Sequence, residues 1–132
     1  MSPELLYPQT FKLDDARPTT QSDCYALGMV VYEVCRHLIT VERTLNIELL
    51  GDDHYQVLCD KPPFWDHEGH TTEVIIRGMR PKKPAEASAL GFTDSLWRTV
   101  ERCWMHDPEM RPDMRWLIRD LTQAALVWDT RL

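Results

Sequence analysis

Cys59, His67 and His70 form a C-x7-H-x2-H array with His54 nearby, the clearest grouping of metal-type ligands in the chain. Zinc takes four such groups at short, regular spacing, or three and a water. This spacing matches no standard zinc pattern, and a solvated loop is the plainer reading of two histidines flanked by Pro62-Pro63 and Gly69. Asp52-Asp53-His54 sets carboxylates beside an imidazole, as a general base would need. No nucleophile has a recognisable context, however, so a surface turn is expected there. Arg80, Lys82 and Lys83 make a short basic patch that suits an acidic peptide or, by default, a solvated turn. From residue types alone we expect no catalytic residue and no metal site.

The elements that must position these residues read as helices. Pro3-Glu4-Leu5-Leu6 suits one helical turn, since proline fits a first helical position. Ser22 is a candidate N-cap, with Asp23 placed where the helix dipole favours a carboxylate. The run Cys24 to Val34 is apolar nearly all round, which predicts a helix buried at the centre of a domain. Val34, Leu38, Val41, Leu45 and Leu49 then recur at helical spacing as one stripe, with Gly51 as a possible left-handed stop. Thr72 to Met79 predicts a short helix. Thr93 caps a helix to Trp104, with Leu96, Trp97, Val100, Cys103 and Trp104 on one side. Asp107-Pro108 reads as a turn. Pro112 leads into a last helix with the stripe Met114, Leu117, Ile118, Leu121, Ala125 and Trp128. Trp97, Trp104, Trp116 and Trp128 are expected in the core and Trp65 partly exposed. No useful stretch alternates with period two, so the fold class is all-α.

Bulk properties narrow the partners. The 132 residues are 43% hydrophobic and 27% charged, with a net charge of −6, as in a globular chain of one small domain or a piece of a larger one. An acidic chain makes nucleic acid an unsuitable partner. The start has no basic segment followed by an apolar run, and the apolar stretch Ala26–Tyr32 is too short for a bilayer. Cys24, Cys35, Cys59 and Cys103 have no short repeated spacing. A reduced, cytoplasmic protein with free thiols and no membrane association is expected.

Four motifs occur in order: Ser2-Pro3-Glu4, Ser22-Asp23-Cys24-Tyr25-Ala26-Leu27-Gly28, Lys61-Pro62-Pro63-Phe64, and Cys103-Trp104-x-x-Asp107-Pro108-x-x-Arg111-Pro112. Together they resemble the C-terminal half of a eukaryotic protein kinase domain, near the tyrosine-kinase-like group. The resemblance implies the helical C-terminal lobe of a protein-kinase-like fold, truncated, over residues 1–132. It implies that Glu4 ends an activation segment and pairs with Arg111. Asp23 would be the carboxylate that holds the catalytic loop, Gly28 the glycine of the same helix, and Trp104 a buried plug. All five are structural positions.

Phosphoryl transfer in that family uses a glycine-rich loop, a Lys–Glu pair, a catalytic aspartate and asparagine, and a metal-binding aspartate. GxGxxG, Val-Ala-Ile-Lys, His-Arg-Asp and Asp-Phe-Gly are all missing from the sequence. The expectation is a fragment without catalytic activity, with ATP and magnesium implied for the parent family only. The alternatives are a helical interaction module, which would bind proteins through exposed apolar faces of the central helix, and part of a full-length active kinase whose gene model starts at an internal methionine. Residues 34–56 interrupt the family pattern, since joining Glu33 to Val57 gives an uninterrupted family-like sequence. They read as an atypical insertion, either genuine or a translated intron, because codons for Val34-Cys35 and Gln56 can supply GT and AG boundaries.

Overall fold

The computed structural model describes residues 1–50 and 71–129. Among these, all regular structure is helical: α1 (Pro3–Leu6), α2 (Thr20–Leu50), α3 (Thr71–Ile76), α4 (Asp94–Cys103) and α5 (Met114–Asp129), joined by short 3-10 turns. The all-α class expected from the sequence holds. Gly51, the acidic turn at 52–53, His54, Cys59, Lys61-Pro62-Pro63-Phe64, Trp65, His67, Gly69 and His70 lie outside the described residues.

The long helix α2 is the spine, packed by α4 and α5 and by the 3-10 turns Ala85–Ser88 and Pro108–Met110. It starts earlier than expected. Thr19 Oγ1 accepts from the Ser22 amide at 3.1 Å, and Ser22 Oγ accepts from the Thr19 amide at 2.8 Å. The two residues form a reciprocal capping box, so Ser22 is the partner of the cap rather than the cap itself. The helix then runs unbroken to Leu50, because no glycine or proline occurs between Met29 and Leu50. Residues 34–50 therefore continue the same helix without a joint.

Two readings of this helix need correction. It is not buried all round: Cys24, Tyr25, Gly28, Tyr32, Cys35 and Ile39 face the core, while Ala26, Val30 and Val34 face out. The stripe that continues toward its end is also turned away from the core. Val34, Val41 and Leu45 are exposed and Leu38 is partly buried against the core, whereas Cys35 and Ile39, one residue after Val34 and Leu38, are buried. One residue is about 100° of rotation around a helix, which separates the two faces. Among the described residues the core packs on the side of Cys24, Tyr25, Tyr32 and Cys35, and that packing selects the face.

By length and composition, Thr20–Glu42 is long and apolar enough to cross a membrane, more than the Ala26–Tyr32 stretch alone suggests. The core helix of a bundle meets the same criteria, and here this segment packs on α4 and α5.

The other elements follow local chemistry. Thr93 caps α4 by accepting from the Leu96 amide, and Trp97, Val100, Cys103 and Trp104 are buried with Leu96 partly covered. Asp107 caps the Pro108–Met110 turn by accepting from the Glu109 amide. Helix α5 buries Leu117 and half-buries Met114, Trp116 and Leu121, whereas Ile118 and Ala125 are exposed, against expectation. Helix α3 is shorter than 72–79 because Gly78, at φ +76°, ends it. The Gly78 amide donates to the Ile75 carbonyl and the Met79 amide to the Val74 carbonyl. This pair of bonds is a Schellman turn, and glycine is favoured at its left-handed position.

Candidate functional site

A buried ion pair joins the first helical turn to a segment 107 residues further along the chain. Glu4 and Arg111 are 3% and 6% exposed. Arg111 donates Nη1 to Glu4 Oε1 at 2.7 Å and Nη2 to Glu4 Oε2 at 2.9 Å. Nη1 also reaches the Gln21 carbonyl and Nε the Met105 carbonyl, each at 2.9 Å, so four of its five N–H groups have these partners. A planar guanidinium suits this bidentate arrangement, which a lysine could not reproduce. Burial alone would raise the Glu4 carboxyl, but the Arg111 hydrogen bonds, an amide bond of its own turn and the guanidinium charge together hold it below 4.5. Local structure makes the pairing possible. Pro3 starts the single turn of α1 that presents Glu4, and the extended backbone of Arg111 after Pro108–Met110 turns its side chain inward.

Tyr25 packs beneath this pair, and two guanidinium groups lie over its ring, Arg111 at 5.1 Å and Arg80 at 5.2 Å from the centroid. Burial pushes its phenol up, with the two arginines opposing that. Arg80 corrects the expectation of a solvated basic turn. The Gly78 turn brings the chain back toward the core, and Arg80 donates to the carbonyls of Trp104 at 2.7 Å, Met79 at 2.7 Å and Ile75 at 3.1 Å. Nothing in the sequence around Arg80 signals this role except the glycine two residues earlier. Lys83 is likewise engaged, bonding Ser88 Oγ at 2.7 Å and Asp94 at 2.6 Å.

Gly28 and Trp104 meet where α2 crosses the end of α4. A Cβ placed on Gly28 would stand 2.5 Å from Trp104 Nε1 and 2.9 Å from Cys103 Cβ, so only a glycine allows this approach. Trp104 also meets Tyr32 and Trp97 edge-on, with ring centroids 5.9 and 6.0 Å apart, a favoured aromatic geometry. Asp23, by contrast, is exposed in the first turn of α2 and is not part of this cluster. Four of the five residues singled out thus converge on the N-terminal half of α2, and the fifth points to solvent beside them.

The buried carboxylate is bound on both oxygens by a guanidinium, which leaves it unsuited to proton transfer. Among the described residues no group of three or more His, Cys, Asp or Glu side chains could hold a metal ion. An apolar groove of about 210 Å³ lies where α2, α4 and α5 meet, lined by Val30, Val34, Phe92, Leu96, Leu121 and Ala125 among others.

Comparison with known proteins gives a partial likeness. No protein-family model matches the chain, and no solved structure matches it. The human receptor-interacting serine/threonine-protein kinase 4 is 34% identical over 79 residues, a match that covers 53% of this chain and 10% of that protein. The chain thus spans about a tenth of the length of the curated relative it matches, and over about half of its own length it is similar to a serine/threonine-protein kinase.

Proposed function

We propose that residues 1–132 are part of the helical large lobe of a protein-kinase-like domain of the tyrosine-kinase-like group, and that they serve as scaffold rather than reaction centre. The observation that carries this reading is the buried bidentate pair of Glu4 with Arg111, the pairing that the motif resemblance implies for these two positions. The close approach of Gly28 to Trp104 and the partial likeness to a serine/threonine-protein kinase support it further. Asp23, exposed at the head of α2, is then an anchor whose catalytic loop is not among these residues. Where the chain is one piece of a longer protein, the reaction of the whole is ATP-dependent phosphorylation of protein hydroxyls, with magnesium, in the cytoplasm. The 132 residues by themselves bind no nucleotide. A thermal-shift titration with Mg-ATP is expected to leave the unfolding midpoint unchanged, and purified chain to transfer no radiolabelled γ-phosphate. Saturable stabilisation or transfer to any acceptor would overturn the scaffold reading.

A second reading, an interaction module, is favoured by one observation. Val30 and Leu45 on the outward side of α2 are 55% and 54% exposed, and the apolar groove adjoins Val30. Exposed apolar surface tends to find protein partners. Sedimentation across a concentration series tests it together with binding of a hydrophobic dye. A dye-silent monomer at every concentration counts against this reading.

A further inference from the structure

Cys24 lies one helical turn before Gly28 on the same face of α2, and Cys103 Cβ comes within 2.9 Å of the place a Gly28 Cβ would take. The two helices therefore meet almost backbone to backbone where both thiols sit. Cys24 is 0% and Cys103 2% exposed, and both are free. Each thiol is the other's side-chain neighbour at this crossing. That contact holds the Cys24 thiol below its ordinary range, burial opposes it, and the Arg111 guanidinium assists. Cys103 is pushed up by its contact with Cys24 and by burial. Cys35, further along the same helix, is a natural control. Burial raises its thiol to about 11, and the charges acting on it are Lys83 and Glu86.

We infer that Cys24 and Cys103 are a peroxide-oxidisable pair that closes into an intramolecular disulfide, stapling α2 to the end of α4. Cys24, as thiolate, attacks one oxygen of hydrogen peroxide; the O–O bond breaks, and after proton uptake Cys24 carries a sulfenic acid and one water has left. The Cys103 sulfur then attacks the Cys24 sulfur, the S–O bond breaks, and the Cys103 proton leaves with the hydroxide as a second water. Two thiols and one peroxide become one disulfide and two waters, with two electrons passing to the peroxide. Burial sets the entry condition: a small neutral oxidant reaches the pair through local opening, and a bulky reagent does not. The pairing is independent of the kinase resemblance.

The test treats the full chain, under native conditions, with hydrogen peroxide, removes the peroxide, unfolds the chain in guanidinium with N-ethylmaleimide present to cap the remaining thiols, and measures intact mass. A non-reducing chymotryptic map follows, since cleavage at Tyr25 and Tyr32 separates Cys24 from Cys35. The expected product is a monomer that has lost two hydrogens, carries two maleimides on Cys35 and Cys59, joins the Cys24 and Cys103 peptides, and reverts with dithiothreitol. Cys35→Ser is expected to give the same linkage in the same yield, and Cys103→Ser to abolish it. Should Cys103→Ser fail to fold, the wild-type and Cys35→Ser maps alone decide. Linkage of Cys24 to Cys35 or Cys59, a disulfide between two chains, or sulfinic acid formation without linkage would overturn the assignment.

Discussion

Along α2, residues 24–39 and residues 40–50 are both rich in apolar side chains, yet they live in different surroundings. The first stretch lies against α4, with Tyr25 under two arginines and Gly28 against Trp104. In the second, Val41 and Leu45 are exposed. Apolar composition therefore does not decide which part of a helix holds a fold together. What distinguishes the first stretch is the polar core against Tyr25: a bidentate carboxylate–guanidinium pair that ties α1, the head of α2 and the Pro108–Met110 turn to one point. Such a pair adds little net stability compared with a well-packed apolar replacement, but removing one partner leaves a buried charge without its counter-charge.

The contrast breaks most sharply at Arg111. Arg111→Met is expected to cost about 3–5 kcal/mol in urea unfolding, since it leaves the Glu4 carboxylate buried and unpaired. Combining it with Glu4→Leu is expected to recover much of that loss, which a merely local packing role for Arg111 would not produce. The same pair sets a pH dependence. The folded Glu4 carboxyl lies below its ordinary 4.5, so its contribution is fully present above the unfolded value and is lost as pH falls through the folded one. Wild-type stability is expected to drop below about pH 4.5, with Glu4→Gln showing a shallower fall. An identical acid profile in that variant would remove Glu4 from the account.

Next in size is Gly28→Ala, whose methyl must displace the Trp104 ring or separate α2 from α4. A loss of about 1–3 kcal/mol is expected, as for overpacking elsewhere, together with a change in near-ultraviolet circular dichroism from the Trp104–Trp97–Tyr32 cluster. Smaller again is Thr19→Ala, which removes the hydroxyl half of the capping box and is expected to cost about 1 kcal/mol. At the far end, Val41→Ser or Leu45→Ser is expected to shift stability by no more than about 0.5 kcal/mol. The same changes should reduce dye binding, so a large stability loss would show that this stretch is packed after all.

Much of the fold was legible in local pattern. The capping threonine at position 93, the turn at Asp107-Pro108 and the single turn after Pro3 each depend on a few neighbouring residues, and each is where the sequence places it. The partial failure on α2 has a definite cause. A run that is apolar on nearly every side carries no directional signal, so neither the face nor the stripe could be oriented from periodicity. Arg80 was missed for a related reason. A basic residue beside Lys82-Lys83 looks solvated until the turn at Gly78 carries it back onto the Trp104 carbonyl. The site residues were legible only through motif resemblance, because Glu4 and Arg111 lie 107 positions apart and no local rule connects them.

The order of amino acids by itself settled which segments are helical and, at Pro3 and Thr93, where a helix starts, because capping, proline geometry and the absence of breakers act over one or two turns. It also settled that 34–50 would be helical, since nothing in that stretch interrupts the hydrogen-bond ladder. Which side of α2 became interior, which arginines became ligands of carbonyls, and that the acid near one end would meet the guanidinium near the other were decided only by packing. Those outcomes depend on contacts between segments far apart in the chain, and such contacts exist only once the helices have been assembled against one another.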